Sequence, residues 1–180
     1  MAALEPVEAS GQLEILREFV NTLALPEGPD QLATPAEASA WCRAHGLPSS
    51  MNRSATQRLR GFREALRTAL FANNGEYDAR RAWSAMASYM EGLKLVFAVH
   101  DCAPVLRAAG TGADATIAAL AAIVYDAISH GTWHRLRACR KESCRYAYYD
   151  RSKNASRAWC SMTTCGNQEK AQRRRRRERA

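Results

Sequence analysis

The chain has 180 residues, 47% of them hydrophobic, with 26 Lys+Arg against 18 Asp+Glu and a net charge of +8. That length suits one core-burying domain with a small appendage, and the apolar fraction excludes a globally disordered chain. The opening MAALEPVEAS has no basic residue ahead of an apolar run and does not read as a secretory signal; Ala115 to Ile128, which contains Asp126, falls short of a bilayer span. A soluble cytoplasmic protein with no membrane partner is therefore expected. Arginine far exceeds lysine and alanine is abundant, which suits a GC-rich bacterial genome. The charge is unevenly placed. Residues 131–180 carry 15 basic and 4 acidic side chains, +11, whereas residues 1–130 sum to −3. Such asymmetry points to a polyanionic partner.

The first 130 residues read as mainly helical. Ser10 is a candidate cap for a helix with Leu13, Leu16, Phe19, Val20 and Leu23 on its apolar face, ended by Pro26 and Gly28. Thr34-Pro35-Ala36-Glu37 is a capping box that starts a second helix, running through Trp41 and stopping at Gly46. A third begins near Ser54, with Leu59, Phe62, Leu66 and Leu70 as its core face and Arg58, Arg60, Arg63 and Arg67 distributed around them. Asn73-Asn74-Gly75 breaks it. A fourth, from Asp78, is expected to bury Trp83, Met86 and Met90. The period then changes. Leu93 to Val99 and Pro104 to Arg107 are strand-like and flank His100-Asp101-Cys102, which predicts a β-hairpin. Ile117, Leu120, Val124 and Ile128 mark a long final helix that Gly131 ends.

Four of the six cysteines form two pairs of equal spacing, Cys139-x4-Cys144 and Cys160-x4-Cys165. Two close pairs across a short span can converge four thiolates tetrahedrally, as one structural Zn2+ requires. Disulfides would need an oxidising compartment, and an iron–sulfur cluster also accepts four cysteines. Between the pairs, Arg145 to Tyr149 is strand-like, Asp150 to Ser156 turn-like, and Arg157-Ala158-Trp159 is read as the returning arm of a hairpin. Tyr146, Tyr148, Tyr149 and Trp159 suit packing around the metal site better than stacking on bases. Cys42 and Cys102 stand alone and read as core or reactive thiols.

Cys139-x4-Cys144, Asp150-Arg151-Ser152 and Arg157-Ala158-Trp159-Cys160-Ser161-Met162-Thr163-Thr164-Cys165-Gly166-Asn167 together resemble the CGNR zinc finger, a C-terminal module of bacterial proteins grouped as transcription regulators. Phe19 to Leu23 and Leu59 to Arg67 are similar to recurrent segments of the family's helical ABATE domain. The resemblance divides the chain into 1–130, an ABATE-like domain, and 131–180, a zinc finger of hairpin and helix with an arginine-rich extension. The fold class is α+β. The resemblance implies a regulator of transcription, and RNA binding is a further role suggested for such modules. One departure stands out, because the family's arginine after Cys-Gly-Asn is Gln168 here.

The metal ligands are thus Cys139, Cys144, Cys160 and Cys165. The candidate nucleic-acid contacts are Arg145, Arg151, Lys153, Arg157, Asn167, Lys170 and the run Arg173, Arg174, Arg175, Arg176 and Arg177. Arginine suits phosphate and guanine recognition better than lysine. DNA is the first expected partner, with RNA binding or a zinc-based protein-interaction adaptor as the alternatives. A homodimer and a small-molecule effector are further partners that a regulator would use. The chain reads as a non-enzyme. His100, Asp101 and Cys102 are neighbours at a hairpin tip, and Gly131 and Thr132 interrupt the helical spacing of His130 and His134.

Overall fold

A computed structural model describes residues 11–26 and 28–178. Helix α1 (Gly11–Asn21) buries Leu13, Leu16, Phe19 and Val20 as expected, and the cap assigned to Ser10 lies outside the described residues. The helix stops well before Pro26. Thr22 donates its hydroxyl hydrogen back to the Phe19 carbonyl at 2.7 Å, and Leu23 leaves the helix to form a β-bridge with Asp30. Leu23 therefore belongs to a loop and not to the apolar stripe of α1.

Helix α2 (Pro35–Ala44) starts on the expected capping box. The Thr34 hydroxyl accepts from the Glu37 amide at 3.2 Å, and the Glu37 carboxylate accepts from the Thr34 amide at 2.9 Å. Helix α3 (Arg53–Ala72) is capped by Asn52, and Leu59, Phe62, Leu66 and Leu70 are fully buried along it. Each such side chain contributes about 1.5–3 kcal/mol of burial free energy. Helix α4 (Ala79–Met90) is capped by the Asp78 carboxylate. It buries Ala82 and Met86, whereas Trp83 and Met90 are half-buried. A β-carbon at Gly61 of α3 would lie 2.3 Å from the Tyr89 hydroxyl, so glycine is what lets α4 approach.

Strands β1 (Leu95–His100) and β2 (Ala103–Ala108) form the predicted hairpin. Its two-residue turn, Asp101-Cys102, has φ of 47° and 61°, the geometry that matches strand twist. Helix α5 (Gly112–Ser129) extends the apolar run at both ends, so by length and composition it could cross a membrane. Its packing gives it another place. Thr116, Ile117 and Leu120 are fully buried, and α5 packs against α1, α3, α4 and β2 as the central core helix. Ile128, expected in the core, is 45% exposed near the C-terminal end.

After a single 3-10 turn at Trp133–Arg135, strand β3 (Leu136–Ala138) pairs antiparallel with β4 (Ala147–Tyr149). This corrects the expected hairpin. The strand after the first cysteine pair takes its partner from the segment before that pair, and Arg157 to Trp159 forms no ladder with it. The reason is burial: Leu136, Ala138 and Ala147 join the same core as the helices. Helix α6 (Asn167–Glu178) closes the described chain.

Candidate zinc centre and nucleic-acid interface

The four cysteines converge. Their sulfurs all lie within 4.8 Å of one another, with Cys144–Cys160 and Cys160–Cys165 both at 3.7 Å. A tetrahedron with metal–sulfur bonds of about 2.3 Å has edges of about 3.8 Å, so the donor set fits one zinc ion. At 3.7 Å these sulfurs are non-bonded, and a cluster of several irons would spread four thiolates farther apart. The x4 spacing is met by two wide turns. In the first, the Arg145 amide donates to the Lys141 carbonyl at 3.0 Å, with Arg145 in the left-handed region at φ 44°. In the second, the Gly166 amide reaches five residues back to Ser161 at 3.0 Å. Hydrogen bonding to Cys139 and Cys160 holds the Cys144 thiol far below its ordinary value, and contacts with Cys139 and Cys144 push Cys160 up.

Tyr148, Trp159 and the ligands make a second small core around this centre. Tyr148 donates its hydroxyl hydrogen to the Arg157 carbonyl at 2.5 Å. Asp150, with no exposed side-chain surface, accepts from the Ser152 and Arg157 amides at 2.9 and 2.8 Å. Burial would raise its pKa, but these donors, the Ser152 hydroxyl and the Arg137 charge together hold it below the usual carboxylate range.

The helical body grips this unit through polar side chains, among them the Asn73-Asn74 pair expected only to break α3. Asn21 exchanges two hydrogen bonds with the Ala147 backbone, at 2.9 and 2.8 Å, and so occupies the free edge of β4. Asn73 donates to the Trp133 and Leu136 carbonyls, both at 3.0 Å. Asn74 donates to those of Ala138 and Ala158 at 2.8 and 2.9 Å. Arg67 donates to the Val20, Leu23 and Arg145 carbonyls, which ties α3 both to the loop after α1 and to the first cysteine turn. Beside it Arg63, 1% exposed, pairs with both Asp30 oxygens at 2.6 and 3.1 Å, and Glu64 bridges the two arginines. A signal existed. Positions 59, 62, 63, 66, 67 and 70 share one helical arc, so Arg63 and Arg67 lie on the core face.

The candidate contact residues divide into two groups. Arg145 stacks on the Phe71 ring at 4.8 Å. Arg157 lies over Tyr148 at 5.1 Å and donates to the Trp159 and Cys160 carbonyls. Both are built into the finger's frame. Arg151 and Lys153 are exposed on the loop between β4 and Arg157, and Asn167 opens α6 with its amide on the Thr163 carbonyl at 3.2 Å. No residue of α6 is buried. Lys170, Arg173, Arg174 and Arg177 recur at i, i+3, i+4 and i+7 and line one shallow surface, whereas Arg175 lines another with Lys141 and Gln168. Gln168 accepts from the Lys141 ammonium, joining the first cysteine turn to the base of α6. His130 ends α5 and His134 sits in the following turn, both exposed.

No curated protein matches the chain. Residues 135–178 match the CGNR zinc finger, and residues 15–132 match ABATE, described as "Putative stress-induced transcription regulator". The four-thiolate centre lies inside the first match and the helical body inside the second; the chain belongs to the ABATE family and carries a C-terminal CGNR zinc finger.

Proposed function

We propose that the protein is a non-enzymatic, DNA-binding transcription regulator of the bacterial cytoplasm, which contacts duplex DNA through α6. The observation that carries this reading is the helix itself. It is polar all round, buries nothing, and presents Lys170, Arg173, Arg174 and Arg177 on one face. A helix of that kind gains little from packing and much from a polyanion. Zinc contributes direction, because α6 starts two residues after Cys165 and its base is tied to Lys141. Twelve residues at 1.5 Å each make a rod of about 18 Å and about 10–12 Å diameter, which a B-form major groove about 12 Å wide admits. The deep, narrow major groove of duplex RNA does not admit such a rod, which favours DNA over RNA.

The test is binding of the full chain to duplex DNA, duplex RNA and heparin at two salt concentrations. Lys170→Gln, Arg173→Gln, Arg174→Gln and Arg177→Gln combined should weaken DNA binding and flatten its salt dependence by about 3–4 units of slope. Arg151→Gln and Lys153→Gln should change it by less. Heparin bound as tightly as DNA of every sequence would reduce the helix to a simple cation, and unchanged DNA binding by the fourfold variant would overturn the reading.

A further inference from the structure

The hairpin of β1 and β2 carries an exposed apolar surface that the zinc centre and α6 do not use. Phe97 is 84% exposed, Val99 78% and Val96 48%, and Tyr125 of α5 is 61% exposed nearby. A two-stranded hairpin is marginal in water without further pairing. Its two outer edges differ. The register pairs Val96 with Arg107, Ala98 with Val105 and His100 with Ala103, and the Ala109 amide donates to the Lys94 carbonyl. These are the hydrogen-bonded pairs, so Leu95, Phe97 and Val99 turn their backbone N–H and C=O groups to the outer edge of β1. On β2 the outward positions are Pro104, Leu106 and Ala108, of which Pro104 has no N–H to offer, and β2 lies against α5. The open edge, Leu95 to His100, has no proline and no Asp, Glu, Lys or Arg to guard it.

We infer that β1 pairs antiparallel with β1 of a second copy of this chain, across a two-fold axis at Phe97, to give a continuous four-stranded sheet. The sequence is self-complementary in that register. Phe97 meets Phe97, Leu95 meets Val99, and Val96 meets Ala98, so apolar side chains face one another throughout. Lys94 of each copy then stands opposite His100 of the other, at the two ends of the apolar stretch. Leu95, Phe97 and Val99 share the face that overhangs a groove of about 690 Å³ lined by Ile15, Leu47, Leu106, Ala119, Ile123 and Tyr125. Two overhangs joined edge to edge cover each other and the grooves. Leu95, Val96, Phe97, Val99 and Tyr125 expose roughly 600 Å² together, the apolar area on which the pairing can draw, against the ~800 Å² per partner of a standard interface. A two-fold dimer is the isologous arrangement that one such edge allows.

Light scattering and sedimentation of the full chain test this. The wild type should have twice the 19.9 kDa chain mass. Phe97→Lys, which sets two like charges at the axis, should return it to the single-chain mass with zinc content and circular dichroism unchanged. In a Cys102→Ala background, Phe97→Cys should cross-link to its copy when an oxidant is added, because hydrogen-bonded cross-strand partners lie about 5.5 Å apart. Val96→Cys, offset from its copy by two residues, should not. A single-chain mass at every concentration, a dimer that survives Phe97→Lys, or equal cross-linking at 96 and 97 would overturn the inference. So would a monomer that binds phosphatidylcholine–phosphatidylglycerol vesicles through this face.

Discussion

Arg63 shows how much of this molecule depends on charge held inside it. It sits on the core face of α3 because Asp30, Thr22 and Glu64 all reach it, with the Thr22 hydroxyl accepting at 3.1 Å. Removing one partner from such a buried set leaves the other uncompensated, so Arg63→Ala should lower unfolding free energy by about 3–5 kcal/mol in urea titrations. Asp30 makes the same argument testable by pH. Burial would raise its pKa, but the Arg63 side chain, the Leu32 amide and the Arg60 charge together hold it below the ordinary carboxylate value. Its contribution is therefore fully present above about pH 4 and is lost as pH falls toward its folded pKa. The wild type should lose stability faster than Asp30→Asn on acidification below pH ~4, and parallel curves would contradict the assignment. Asn74→Ala removes the side-chain donor of the Ala138 carbonyl, while the Ala158 carbonyl keeps the Arg140 amide, and should cost about 1–3 kcal/mol, read as a lower melting temperature with zinc retained.

Among the elements, those with a strong local period were legible and those held by long-range contacts were not. The capping box of α2, the core face of α3 and the hairpin turn all follow from neighbours in sequence. The end of α1 and the partner of β4 do not. The side chain of Asn21, the last residue of α1, is taken up by the Ala147 backbone, and β4 turns to Leu136–Ala138 because those apolar side chains share the helical core. The cysteine pairs were legible because the spacing of metal ligands is local, whereas their grip by Asn73, Asn74 and Arg67 is not. Zinc removal tests this division. Chelation, or Cys165→Ser, should free α6 and open residues between 139 and 166 to protease, while the helical body stays resistant because its core is largely its own. Protection that does not change on metal loss would mean that packing alone holds the finger.

In the whole molecule, the net charge of +8 resolves into −3 over residues 1–130, +6 over residues 131–166 and +5 over residues 167–180, which hold the helix launched from a metal-anchored base. The sequence placed the positive charge at the end of the chain, but only the fold separates Arg145 and Arg157, which brace the finger, from Lys170, Arg173, Arg174 and Arg177, which face outward together. Gln168, in place of the family's arginine, accepts from Lys141, so the proposed nucleic-acid contact falls to the turns of α6 beyond it. The central claim is that α6 is the polyanion-binding element. The most direct test is the salt dependence of duplex-DNA binding by the full chain and by a chain ending at Lys170. With Lys170, Arg173, Arg174 and Arg177 on phosphates, the logarithm of the binding constant should fall with the logarithm of salt at a slope near −4, and the shortened chain, which keeps Lys170, should lose about three units of that slope while keeping its zinc. An equal slope for both chains would contradict it.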